Sequence, residues 1–446
     1  MRPVEAERAV EPCDVLIIGG GPAGATAATL LARMGRDVVL VEKATHPRFH
    51  IGESLLPKNL AILDRLGVRD AVHAIGVFKR GAEFVSDETG QAIAFPFSLA
   101  ISKGDAHSYH VRRSEFDKIL FDNAAAAGAR CLEGLRITDL EVGQTADARQ
   151  HVTARDEQTK ALRHFAPRYV LDASGRDTFL ASRLHNKISD KRNNTAAIYA
   201  HYKGVAARTG ETEGYITVHL AQDGWFWLIP LPDGVMSVGF VGNPSAFRAR
   251  GREGQSTEAM LAARIATSPT VCARMQGAER VSEVFGTGNY SYRARRSWTP
   301  ASCMIGDSFA FIDPVFSSGV LMAMAAGEMG AATANTWLDN PARGNAMARH
   351  NERVLSGAMK RISWLIYRIN TPAMRMMFMS PNNTLRMRDG LVSLLAGNLE
   401  RDARSVLPVL AFKTVYYVAS GFYRLRSAAA RGGIRSSIAA VQVARS

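Results

Sequence analysis

Residues 13 to 43, CDVLIIGGGPAGATAATLLARMGRDVVLVEK, constrain the fold more than any other stretch of this chain. An apolar strand over Val15 to Ile18 runs into Gly19, Gly21 and Gly24, spaced G-x-G-x-x-G. A helix from Pro22 to Met34 follows, then a second strand ending at Glu42. Strand, glycine turn, helix and acid in this order specify a dinucleotide-binding unit. The glycines permit a tight turn and a close approach to a pyrophosphate, whose charge the helix N-terminus stabilises. Glu42 is placed to accept hydrogen bonds from ribose hydroxyls. The fold class expected is α/β: a Rossmann-like dinucleotide-binding domain, an inserted antiparallel β-sheet substrate domain and a C-terminal helical region.

Two later segments favour a flavin over a nicotinamide dinucleotide. YVLDASGRDT ends a strand at Asp172 and turns through Gly175. CMIGDSFAFIDPVFSSGV ends a strand at Ile305, followed by Gly306-Asp307 and Asp313-Pro314. The second segment resembles the G-D motif of FAD-dependent monooxygenase-type flavoproteins, in which the Asp binds the ribityl chain. YHVRRSEFDKILFDNA, with Arg113 ahead of Phe116-Asp117, resembles a helix of the same group. There is no second G-x-G-x-x-G to hold a nicotinamide cofactor.

Residues near 77–106 and 190–290 alternate apolar and polar, as strands do; they include IYAHYKG, GYITVHLA, GWFWLIPL and VMSVGFVG. From about 318 the chain is rich in Ala, Met, Arg and Leu with a helical pattern, and Pro372, Pro381 and Pro408 are expected to break it. The expected division is 12–76, 107–190 and 290–345 for a discontinuous FAD-binding domain, 77–106 and 191–289 for the substrate sheet, and 346–446 for the helices.

Charge adds a constraint on partners. The net charge is +14, with the basic excess concentrated after Arg343, where only Glu352, Asp389, Glu400 and Asp402 oppose it. Such a surface attracts something anionic: a membrane, an acidic protein or nucleic acid. Nothing resembles a nucleic-acid-binding module. Cys13, Cys131, Cys272 and Cys303 lie far apart, without zinc spacing, and read as reduced thiols of a cytoplasmic protein. No metal site is expected. The opening MRPVEAERAVEP has no signal-peptide core. LPVLAFKTVYYVASGFY carries Lys413 and falls short of a clean membrane span, so no transmembrane segment is expected.

Four segments together resemble the flavin-dependent halogenases. GWFWLIP matches their W-x-W-x-I-P signature through Trp225, Trp227, Ile229 and Pro230. GVFKRGAEF resembles their lysine segment, with Lys79 at the catalytic position. HPRFHIGESLLP looks like their flavin-covering strap, through Gly52, Glu53 and Ser54. GDSFAFIDPVFSSGV looks like their G-D, D-P and S-S-G stretch. The likeness spans roughly residues 14 to 330.

The resemblance implies FAD, used as FADH2 from a separate flavin reductase, with dioxygen and chloride or bromide. Halide would be oxidised to hypohalous acid, which Lys79 would hold and aim at a ring, while Trp225 and Trp227 wall the substrate off from the flavin. It implies a cofactor set of Gly19, Gly21, Ala23, Gly24, Glu42, Lys43, Arg48, Gly52, Glu53, Ser54, Arg113, Asp172, Gly306, Asp307, Pro314 and Gly319. The amides of Ser318 and Gly319 would bind halide. Tryptophan-acting members carry a glutamate where this chain has Phe316. The expectation is therefore a phenol- or pyrrole-type enzyme of secondary-metabolite biosynthesis and not the tryptophan type. Its substrate is free or tethered to an acidic acyl or peptidyl carrier protein, which the basic tail would suit. An FAD-dependent aromatic hydroxylase is the alternative. An isoprenoid-saturating reductase and a non-catalytic flavin-binding scaffold explain the Trp pair and Lys79 less well.

Overall fold

The structure is a computed structural model. It describes residues 10–101, 104–141, 149–190, 195–248, 256–288, 291–399 and 403–443.

Strand Val10–Ile18 is apolar toward its end and lies at the centre of the first sheet. It pairs in parallel with Leu162–Asp172 on one side and Val38–Val41 on the other, with Ile18 opposite both Asp172 and Val41. Arg130–Leu132 and Ser302–Met304 extend the parallel sheet outward. Helix Pro22–Arg33 packs against the 21-residue helix Gly319–Asp339. All-parallel strands of this kind need cover on both faces, and Val15, Leu16, Ile17, Val39 and Leu40 are fully buried.

The second sheet runs, in spatial order, Glu279–Arg280, Ala196–Lys203, Val235–Gly242, Gly224–Pro230, Ile216–Ala221, Gly81–Ser86 and Ala92–Pro96. It is not wholly antiparallel: Ile216–Ala221 and Gly81–Ser86 run parallel. These two strands come from the two separate inserted segments, so no hairpin obliges them to reverse direction. Val77–Lys79 does not join this sheet; it pairs with Ser108–His110 in a two-stranded ladder.

The expected apolar–polar alternation fails in the strand that carries the tryptophans. Trp225, Trp227 and Ile229 pack into the main core beneath the sheet, while Phe226 and Leu228 pack with Leu261 and Val271 on the opposite face. Helices Thr257–Ala266 and Pro269–Arg274 cover that outer face, so both faces are apolar.

The helical region begins earlier than residue 346. Pro341 opens the helix Pro341–Ile366, and Asn340 caps it by accepting from the Arg343 amide at 3.0 Å. Pro372 opens the helix Pro372–Met379, and Pro381 lies in the loop beyond it. Pro408 does not break the chain; it sits inside the helix Ala403–Val443. Its buried ring packs so closely over Gly390 of the helix Met387–Leu395 that a Cβ there would meet it at 2.8 Å. That packing offsets the lost helical hydrogen bond.

Candidate flavin site and buried lysine

A cavity of about 760 Å³ opens where the glycine turn, the strap, the second sheet and the start of helix Gly319–Asp339 converge. Its apolar walls with a few convergent polar groups are what a large cofactor requires. The glycine turn is built for close approach. Gly19 has φ +102°, and a side chain there would collide with the Ala173 carbonyl. A side chain at Gly24 would collide with the Gly19 carbonyl, so Gly24 sets the helix-to-turn contact and does not itself line the cavity.

Of the expected cofactor set, Gly19, Gly21, Ala23, Glu42, Lys43, Arg48, Gly52, Glu53, Ser54, Arg113, Asp307, Pro314 and Gly319 line the cavity, with Trp225 and Trp227. Asp172 does not. It is fully buried and its carboxylate accepts from the Ser174 and Leu180 amides at 2.9 and 2.8 Å, closing the turn after its strand. Gly306 also lies off the cavity; at φ +64° it permits the turn that presents Asp307. Ser318 is buried off the cavity, whereas Ser317, at φ +55°, faces it.

The acid at the end of the second strand is already engaged. Glu42 Oε2 accepts from the Gly20 amide at 2.8 Å and Oε1 from the Ala44 amide at 2.9 Å, which fixes its position at the cavity wall. A carboxylate has lone pairs to spare for ribose hydroxyls. Asp307 sits at the other end, and burial pushes its carboxyl up to about 6. Both acids fit a ribose and a ribityl chain, and the glycine turn fits a pyrophosphate, so the residues present fit FAD.

The strap is held by a buried ion cluster. Arg113 Nε and Nη2 grip Asp117 at 2.7 and 2.9 Å, and Arg113 Nη1 donates to the Ile51 carbonyl at 2.8 Å. Burial raises the Asp117 pKa, but the Arg113 and Arg48 guanidiniums beside it together outweigh burial and hold the carboxyl below its usual range. Gly52, at φ +108°, passes beside Arg113, and a Cβ there would come within 2.9 Å of the guanidinium. Glu53 is buried and bonds His201 Nε2 at 2.7 Å.

Lys79 is 1% exposed and makes no ion pair among the described residues. Its Nζ donates to Ser54 Oγ at 2.8 Å and to the Leu55 carbonyl at 2.9 Å, and lies 5.2 Å from the centre of the Phe97 ring. Burial pushes its ammonium down to about 7. Lys79 does not line the flavin cavity; Ser54, which does, connects the two.

The tryptophan pair stands at the cavity's edge with ring centres 5.9 Å apart. Trp227 Nε1 donates to Ser237 Oγ at 3.1 Å. Gly239 lies directly opposite Trp227, and a side chain there would collide with the indole. Ser237, Gly239, Phe97 and the strap's role as a bridge to Lys79 went unread in sequence. VMSVGFVG holds the first two, but only the strand register shows which residue faces the indole.

The family described as "FAD binding domain" matches residues 12–324, and the chain belongs to it. FAD is its cofactor. It is 39% identical over 323 residues to a tryptophan 2-halogenase of Chondromyces crocatus, covering 72% of this chain and 60% of that one. Among solved structures it resembles a flavoprotein/dehydrogenase of Cytophaga hutchinsonii, with a TM-score of 0.82, 28% identity, and coverage of 93% of this chain and 100% of that one. The myxobacterial chondrochloren halogenase CndH gives 0.74, 28%, 92% and 97%. The chain spans 60 to 64% of the length of the curated relatives it matches first.

One expectation is overturned. The absence of glutamate at Phe316 does not exclude the tryptophan type, because a relative at 39% identity is named for that substrate. The structure supplies the reason. Phe316 is buried with its ring 6.4 Å from Phe378 and 6.5 Å from Phe84, so core packing by itself accounts for a phenylalanine at this position.

Proposed function

We propose that this chain is a flavin-dependent halogenase, working with a separate flavin reductase, dioxygen and chloride or bromide on an electron-rich aromatic ring. The observation that carries the reading is Lys79: a buried lysine without a carboxylate partner among the described residues, hydrogen-bonded to the strap serine that lines the flavin cavity. Burying an unpaired ammonium is costly, and a merely structural role gives no return for that cost.

When bound and reduced, the flavin supplies the activation of dioxygen that oxidises halide to hypohalous acid. The chain's own residues then do three things. The backbone amides of Ser318 and Gly319, at the start of the helix Gly319–Asp339, hold the halide beside the cavity. Trp225, Trp227 and Ile229 occupy the space beside the flavin that a hydroxylase leaves for substrate. Lys79 holds the electrophile away from that wall, by hydrogen bond or as a haloamine, and delivers halogen to the ring. The ring belongs to the electron-rich class that includes phenols, pyrroles and indoles, whose lone pairs stabilise the cation formed by attack.

Mass spectrometry tests the reading. Full-length protein, FAD, a flavin reductase, NADH and bromide are combined with phenol, pyrrole and indole substrates, each free and carrier-tethered. A bromine isotope doublet on the product is expected, and Lys79→Ala should abolish it while flavin oxidation continues. A gain of one oxygen instead would assign the chain to the hydroxylases.

A further inference from the structure

Between Ala403 and Leu425 the helix Ala403–Val443 is packed on one side only. Ser405, Pro408, Phe412 and Tyr416 recur every three or four residues and are buried against the helices Pro372–Met379 and Met387–Leu395. The opposite face should be polar in a helix that meets water. It is apolar instead: Leu407 is 64% exposed, Leu410 56%, Val418 56% and Leu425 70%. Their spacing places them on one stripe roughly 27 Å long. Exposed Tyr417 and Phe422 flank it.

The charge around this stripe has one sign. From Ala403 to Val443 the sequence carries Arg404, Lys413, Arg424, Arg426, Arg431 and Arg435 and no acidic residue. On a helical projection Arg404 falls on one flank of the stripe and Lys413 and Arg424 on the other. An apolar stripe with aromatic residues and basic flanks is the pattern of a helix lying in the plane of an anionic bilayer surface. By length and composition alone, Ala403–Leu425 is long and apolar enough to cross a membrane. Spanning would strip Phe412 and Tyr416 from the core and break the 2.9 Å hydrogen bond from Trp364 Nε1 to Tyr417 Oη. Lying on the surface keeps both.

We propose that the outer face of the Ala403–Leu425 part of this helix docks the protein onto an anionic lipid surface, the apolar stripe entering the acyl boundary and the flanking cations meeting the headgroups. An acidic carrier protein would match the charge, but it gives no use for so long an apolar stripe.

The test is co-sedimentation of the full-length, FAD-loaded protein with vesicles. Phosphatidylcholine vesicles containing about 30% phosphatidylglycerol are compared with pure phosphatidylcholine at low salt. Sedimentation with the first and not the second is expected. Arg424→Gln should weaken it about fivefold, and the double variant Leu410→Glu/Val418→Glu about tenfold or more. Retained FAD absorbance in the variants reports that they fold. The proposal is overturned if wild type binds neither vesicle or both equally, or if the double variant binds as wild type does. It is also overturned if the stripe proves to pair two copies of the chain, seen as a dimer that the double variant dissociates, or to bind an acidic carrier protein in place of lipid.

Discussion

Lys79 carries most of the chemistry argued above, and its burial has consequences for stability as well. Burial holds its folded pKa at about 7, below the 10.5 of a solvated lysine. Between those two values the unfolded chain holds a proton that the folded chain does not, so stability rises with pH across that window and is lost as pH falls through it. The full linkage amounts to roughly 5 kcal/mol. Lys79→Met keeps most of the stem's volume and removes the charge. It should raise the melting temperature near pH 7.5 and flatten the rise of stability toward pH 10, both measurable by thermal denaturation. An unchanged pH slope would mean that the lysine is solvated. Activity should follow the same ionisation. A desolvated lysine near 7 supplies neutral amine, so the halogenation rate should rise with pH through about 7 while flavin oxidation does not. Lys79→Arg, cationic at every accessible pH, should not rescue halogenation.

At the scale of elements, the wall depends on a register. Strand Val235–Gly242 brings Gly239 under the Trp227 indole and Ser237 to its Nε1. Gly239→Val should force the indole out of place, at a cost of about 1–3 kcal/mol in stability. It should also lower halogenation per flavin oxidised, read by comparing product with hydrogen peroxide released. If coupling is unchanged, the wall does not keep substrate from the flavin. The glycine turn and its two strands were legible in sequence because everything that defines them is local: a period, a turn and an acid. The flavin strap was legible only as a motif. Its attachment through Arg113 and Asp117, and through Ser54 to Lys79, depends on residues far apart in sequence, and no pattern along the chain encodes it.

At the scale of the whole molecule, the cavity lies at a seam and one core crosses it. Leu55 and Leu56 of the strap, Trp225 and Trp227 of the second sheet, Leu321 and Met324 of the helix Gly319–Asp339, and Phe378, Leu391 and Tyr416 of the C-terminal helices belong to one buried cluster. Units sharing a core do not unfold separately. Free FAD at about 100 times its Kd should add roughly 2.7 kcal/mol and raise one melting transition by roughly 3 °C. Two transitions, of which FAD moves one, would show that the C-terminal helices fold apart from the flavin unit.

Sequence alone determined the dinucleotide unit and the helical character of the last hundred residues, since each follows from short-range spacing or periodicity, while Lys79 and the tryptophan pair were singled out only by resemblance to a family. It misled at Phe316, where a core position looked like a substrate marker, and at Pro408, whose packing over Gly390 keeps it inside a helix. Only the tertiary structure decided that both faces of the tryptophan strand are buried, that Lys79 has no ion-pair partner among the described residues and meets the cavity through Ser54, and that one face of the last helix is apolar and uncovered between Leu407 and Leu425. Burial and pairing are properties of neighbours brought together by folding, so a linear pattern of residue types does not contain them.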